Sequence, residues 1–303
     1  MQNPTKGRKL SLHTKETITG YLFIMPSILG ILIWLVGPMI YSIWLSLTKW
    51  DIITPAKYVG LGNFRKLFLN DPLFWKCLWV TFYYTIVAVP LNLVSGFLVA
   101  LLLNSEVKGM TAFRTIFYLP SIVPQVANAM LWLWLLNPEF GLVNTFLRSA
   151  GFPKILWLQD ERWVMPAFWV MGLWTIGGGM LIYLAGLQGI PEQLYEAAEI
   201  DGASIWAKFR HITIPQMSPI IFFNLIMGII GSFQIFTSGF LMTNGGPNNA
   251  TLFYVLYLYR NAFEWLNMGY AAALAWVLFI IILLLTLLIF RSLGDKVYYD
   301  NVR

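Results

Sequence analysis

The chain has 303 residues, of which 58% are apolar and 11% charged, with a formal net charge of +6. Soluble globular chains carry about 25% charged residues, so an ordinary soluble domain is excluded. Cys77 is the single cysteine, which excludes a disulfide-built scaffold.

The charges leave long gaps. No Asp, Glu, Lys or Arg falls in Thr17–Thr48, Cys77–Ser105, Thr115–Pro138, Trp163–Pro191 or Leu266–Phe290, and His211–Tyr259 holds one histidine. A spanning helix needs about 20 mostly apolar residues, and each gap is long enough. In lipid an unbroken backbone must pair its own N–H and C=O groups, and these runs lack the alternation of a membrane barrel. The gaps predict an all-α, polytopic membrane protein with six transmembrane helices, near Tyr21–Leu47, Leu78–Leu103, Ile116–Leu136, Pro166–Gly186, Pro219–Met242 and Ala271–Phe290.

In chain order, 1–16 reads as a cytosolic tail carrying Lys6, Arg8, Lys9 and Lys15 against one acid, Glu16. Lys and Arg favour the cytosolic side, so the tail puts both termini there, although the bias summed over all loops is slight. Residues 17–74 hold the first helix and an external loop, 75–291 a transmembrane core, and 292–303 a second cytosolic tail. The first apolar run is too long for a cleaved signal and should remain as an anchor. Pro90, Pro120, Pro124 and Pro166 are candidate kinks. Trp163 and Trp265, near span ends, read as interfacial anchors.

Several absences narrow the function. No acid or base lies in the span cores, whereas ion-coupled carriers commonly tolerate charges there despite a cost of at least ~2.5–3.5 kcal/mol each. Metal-ligand spacing and a nucleophile motif are missing, and Gly-Lys never occurs, so there is no phosphate loop ending in Gly-Lys-Ser/Thr. The chain should be no enzyme, with no cofactor and no metal, and any ATP would be hydrolysed by a partner. No basic stripe suggests nucleic acid.

The loop from Pro191 to Pro215 carries the strongest signal. Pro191 suits a first helical position, Gly202 a left-handed helix end, and Ser204 the cap of a second short helix that Pro215 limits. Glu192, Glu196 and Glu199 precede Lys208 and Arg210, an order that suits the two helix dipoles. Ala197 and Ala198 leave a low surface for another protein. A helix lying on the inner leaflet is the competing reading, but its acidic first half would be repelled by anionic lipid.

Glu196-Ala197-Ala198, Asp201-Gly202 and Ile212-Thr213-Ile214-Pro215 together resemble the EAA loop of ATP-binding-cassette importer permeases, with Ile214 where the family usually has Leu. Tyr58-Val59-Gly60-Leu61-Gly62-Asn63-Phe64, Leu241-Met242-Thr243-Asn244-Gly245-Gly246-Pro247, Tyr259-Arg260-Asn261-Ala262-Phe263 and Gly269-Tyr270-Ala271-Ala272-Ala273 resemble its carbohydrate branch, the maltose-type and glycerol-phosphate-type permeases. The resemblance, from about Thr19 to Arg291, implies a type I ABC importer permease fold in the bacterial cytoplasmic membrane. It implies a second, similar permease forming a heterodimer, two ATPase subunits and an extracytoplasmic solute-binding protein. It makes Glu196, Ala197, Ala198, Asp201, Gly202, Ile212 and Pro215 the coupling residues. Asn244, Gly245, Gly246 and Pro247 read as a tight turn and, by resemblance, as a contact for the binding protein.

A neutral, hydroxyl-rich cargo calls for amides, hydroxyls and aromatic faces. Asn224, Gly228, Gly231, Ser232 and Ile235 share one helix face, flanked by Gln234. Trp174 and Thr175 precede Gly177-Gly178-Gly179, where irregular backbone is expected. The expected path is Trp174, Thr175, Gly178, Asn224, Gly228, Gly231, Ser232, Gln234 and Ile235, with Asn92, Gln125 and Asn128 as weaker candidates. The same small residues also suit helix–helix packing. The leading expectation is an importer permease for a sugar or oligosaccharide. The alternatives are a glycerol phosphodiester or polyamine importer, an ion-coupled secondary carrier, or a membrane-embedded transferase.

Overall fold

Ser11 opens the first helix: its Oγ accepts the Thr14 N–H at 3.2 Å, satisfying one of the donors that a helix start leaves free. This computed structural model describes residues 11–105, 108–294 and 297–298; Lys6, Arg8, Lys9 and most of the 292–303 tail lie outside them. Four helical runs are long and apolar enough to cross a membrane: α1 (Leu12–Ser46), α3 (Pro72–Leu103), α10 (Ile205–Phe233) and α13 (Met268–Leu293). Two bent pairs supply two more: α4 (Met110–Ile122) with α5 (Gln125–Leu135), and α7 (Glu161–Trp174) with α8 (Gly177–Gln188). Shorter helices are α2 (Gly62–Asn70), α6 (Leu142–Ser149), α9 (Glu192–Ile200), α11 (Gly239–Thr243) and α12 (Tyr254–Tyr259). The two-residue strands β1 (Thr48–Lys49) and β2 (Lys57–Tyr58) pair antiparallel, Thr48 opposite Tyr58.

The chain is polytopic and all-α in its spans, but three expected helices differ in detail. The third apolar run is not one straight span, because α4 and α5 meet at 98°. Pro120 lies in a tight turn at Leu119–Ile122, and Val123, which precedes Pro124, is extended at φ −68° and ψ 129°. Proline removes an N–H and disfavours helix at the residue before it, so two prolines four apart turn the chain. The fifth span does not run unbroken from Pro219 to Met242: α10 ends at Phe233, and α11 is a separate wide turn. Ser232 Oγ donates to Ile229 O at 2.9 Å, a local bond that competes with the helical ladder, and past the break Thr237 Oγ1 donates to Gln125 Oε1 at 3.2 Å.

The third difference concerns Pro215, which does not limit the second elbow helix. The run Ile205–Phe233 is continuous, and the five residues Phe209–Thr213 form a π-helical turn just before the proline. A wide turn removes the clash between the proline ring and the carbonyl four residues earlier. The same device recurs in α1, where Leu32–Val36 is a π turn before Pro38.

Helix α3 is central and packs on α7, α8 and α10. One core cluster joins Phe74, Val80 and Tyr84 to Phe168, Phe253, Tyr254 and Leu274; a second, nearer the 191–215 elbow, joins Phe97, Ala100, Met180, Tyr183, Leu187 and Met217. Leu12–Ile31 buries no residue, and α1 meets the bundle through its second half, where Trp276 Nε1 donates to Ser42 Oγ at 3.1 Å. Asn63 secures the end of α1: its Nδ2 donates to Ser46 O and Thr48 O, both at 2.8 Å. Asp71 caps α3 by accepting from Leu73 N and Phe74 N, and it also accepts the hydroxyls of Tyr257 and Tyr270.

Candidate functional site

Two short helices and a wide turn make the elbow. Pro191 is the residue before α9, one position earlier than expected, with ψ 128°. Gly202 has φ +74°, a conformation that favours glycine, and Ser204 Oγ accepts Ala207 N–H at 3.2 Å. Two side-chain links brace the bend. Lys208 Nζ lies 2.5 Å from Glu199 Oε1, which holds the Glu199 carboxyl below its ordinary range through the hydrogen bond first and the charge second. The Tyr195 hydroxyl and Thr213 Oγ1 are 2.9 Å apart and tie α9 to the start of the membrane run. Glu192, Glu196 and Asp201 are exposed, and so are Ile200 at 88% and Ile205 at 84%. This surface mixes acid with apolar side chains, which suits a protein partner better than water alone.

Between α3, α5, α7, α8 and α10 lies a cavity of about 500 Å³. Seven of the nine expected path residues line it: Thr175, Asn224, Gly228, Gly231, Ser232, Gln234 and Ile235. Trp174 and Gly178 do not. Trp174 packs edge-on to Trp132 at 6.4 Å, and on α8 Gly179 faces the space while Gly178, the preceding residue of the helix, does not. Asn92, Gln125 and Asn128 all line the cavity. Sequence reasoning missed Tyr84, Ser121, Tyr183, Thr237 and Ser238. The two tyrosines are buried aromatic residues that read as core, whereas Ser121, Thr237 and Ser238 reach the wall through the breaks at Pro120–Pro124 and after Phe233. No lining residue carries a charge, and the described residues hold no cluster of His, Cys, Asp and Glu that could bind a metal.

On the face opposite the elbow, Asn244 and Gly245 both take positive φ, 44° and 79°. Arg260 donates to Asn244 O at 2.8 Å and Asn244 Oδ1 at 2.9 Å, and Thr251 Oγ1 donates to Gly246 O at 2.6 Å, so the turn is rigid. Asn244, Gly246 and Pro247 border a second cavity with Leu136, Asn137 and Gln159; Gly245 does not, and points toward Leu252 and Leu256.

Residues 92–295 match the family described as binding-protein-dependent transport system inner membrane component. The chain belongs to that family. Among its relatives, the probable ABC transporter permease protein YesP of Bacillus subtilis (strain 168) is 41% identical over 291 residues, 95% of this permease and 94% of the relative. The lactose transport system permease protein LacF of Rhizobium radiobacter is 34% identical over 294 residues, 94% of this permease and 97% of the relative. A chain of a bacterial alginate ABC transporter, crystallised with alginate pentasaccharide-bound periplasmic protein, superposes with a TM-score of 0.83 at 25% identity, covering 93% of this permease and 96% of that chain. The fold is that of type I ABC importer permeases, and the permease is a multi-pass membrane subunit of the sugar-importer kind.

Proposed function

We propose that this permease forms half of the membrane path of an ATP-driven importer for a sugar or oligosaccharide. A second, similar permease completes the path as a heterodimer. Two ATPase subunits dock on the 191–215 elbow, and an external binding protein delivers cargo near Asn244–Pro247. The elbow side is cytosolic, as are both termini. The observation that carries the reading is the uncharged cavity, whose wall offers amides and hydroxyls from five helices. Such groups match hydroxyl-rich cargo. A phosphodiester entering there would meet no Lys or Arg among the described lining residues, and an unpaired buried charge is costly. The relative named for lactose and the neighbour named for alginate support a saccharide cargo.

Energy reaches the path through the elbow. Closure of the ATPases moves the partner groove, Glu196 and its neighbours follow, and the unbroken Ile205–Phe233 run carries the displacement to Asn224, Gly228 and Ser232. The chain itself makes and breaks no covalent bond. Reconstituting the four-subunit complex with its binding protein and measuring sugar-stimulated ATP hydrolysis tests the reading. Glu196→Lys is expected to abolish uptake while leaving membrane insertion intact, since like charge against a basic groove can cost several kcal/mol. Full uptake by that variant would remove the elbow from the coupling route.

A further inference from the structure

Three polar atoms along the central cavity have no hydrogen-bond partner among the described residues: Asn92 Oδ1, Asn128 Oδ1 and the Tyr183 hydroxyl. Tyr183 is the most constrained. It is 1% exposed, its ring meets Phe97 edge-on at 5.4 Å, and a Cβ added at Gly96 would lie 3.6 Å from it. Phenylalanine would fill that slot without leaving a donor unpaired, and an unpaired donor in a dry interior is costly. Tyr183 nevertheless borders the cavity.

Its neighbours make a tier. Asn92 lies one helical turn before Gly96 on α3, and its amide approaches the open side of Gly172. Asn224 spends its Nδ2 on Ile220 O at 3.0 Å, and its Oδ1 faces the space that Gly179 leaves. Tyr183 sits in the half of α8 that leads to the elbow, and Asn224 on α10 lies eight residues nearer the elbow than Ser232. A second polar tier, with Gln125, Asn128, Ser232, Gln234 and Thr237, occupies the other end of the cavity. Eight residues separate Asn224 from Ser232, about 12 Å of helix at ~1.5 Å per residue. Val89, Met171, Met227 and Gly228 line the stretch between.

We propose that Tyr183, Asn92 and Asn224 form a second hydroxyl-binding station, about 12 Å along the helix axis from Ser232. It takes a cargo O–H group on the elbow side of the path, and Tyr183 sets how tightly that group is held. The inference rests on the sugar-import reading. A trapped water offers the same O–H chemistry, so the experiment must separate the two sources.

The complete importer, in proteoliposomes loaded with ATP, would be assayed for uptake of lactose, maltose, trehalose and an arabino-oligosaccharide. With the sugar that the wild type takes up, Tyr183→Phe is expected to raise KM about three- to tenfold, the range of one lost hydrogen bond. Its thermal unfolding midpoint without sugar should be unchanged or higher, because the hydroxyl loses no protein partner. An unchanged KM with a lowered midpoint would assign the hydroxyl to a structural water and overturn the station alone. An unchanged KM and midpoint would overturn it as well. A wild type that takes up none of the four sugars would remove the cargo reading and the station with it.

Discussion

A methyl group added at Gly269 would lie 1.9 Å from the Thr48 carbonyl oxygen, an atom already held by Asn63. Backbone cannot yield there as a flexible side chain could. Gly269→Ala is therefore expected to destabilise the fold by about 1–3 kcal/mol, the usual cost of forcing atoms into a packed interior. Thermal unfolding in detergent would read it, with Gly20→Ala, where the added atom meets nothing within 4 Å, as the control. Glu199 supplies a residue-scale effect of pH. Its folded-state pKa is lowered by Lys208, so the pair's contribution is present at neutral pH and is lost as pH falls through that lowered value. The side chain is 64% exposed, so the effect is local to the elbow. An NMR titration of the Glu199 carboxyl should show a midpoint below the usual glutamate value of about 4.3, returning toward it in Lys208→Met. An identical midpoint in both would mean that the ion pair does not hold in solution.

At the scale of elements, the second elbow helix and the fifth span are one mechanical piece, the run Ile205–Phe233. Tyr195 braces the angle between α9 and that piece beside the Glu199–Lys208 pair, through Thr213 at 2.9 Å. Tyr195→Phe deletes this bond and leaves the docking acids untouched. The expected result is ATP hydrolysis that continues while uptake per ATP falls severalfold. If both rates fall together, Tyr195 acts on docking and not on transmission. Much of this element was legible beforehand. Gly202 at positive φ and the Ser204 cap follow from local rules, since each depends on one residue's own backbone. The continuity through Pro215 was not legible, because a π turn has no residue signature and proline ordinarily ends a helix. The right-angle break at Pro120–Pro124 escaped for a related reason. Hydropathy records how much apolar chain lies in the membrane, not the direction in which it runs. The cavity wall was half legible: the stripe from Asn224 to Ser232 lies on one helix face, whereas Tyr84 and Tyr183 are aromatic residues that hydropathy does not distinguish from packed core.

At the scale of the whole molecule, the distribution of charge fits an ATP-driven importer better than an ion-coupled carrier. Carriers driven by protons commonly place an acid, a base or a histidine along their path, where the proton binds. Here the cavity wall is neutral throughout, and the two histidines lie elsewhere: His13 at the exposed start of α1 and His211 in the elbow, where its Nδ1 lies 3.0 Å from Ala207 O. The ionic side chains nearest a functional surface cluster instead on the elbow, the surface assigned to a nucleotide-hydrolysing partner. Uptake should therefore depend on ATP and be indifferent to ion gradients. In proteoliposomes holding the full complex, dissipating proton and sodium gradients with ionophores should leave the initial uptake rate unchanged at saturating ATP. Replacing ATP with a non-hydrolysable analogue should stop accumulation. Uptake against a concentration gradient that an imposed ion gradient sustains without ATP would contradict the importer reading at its root, because no side chain on the cavity wall could bind the driving ion by charge.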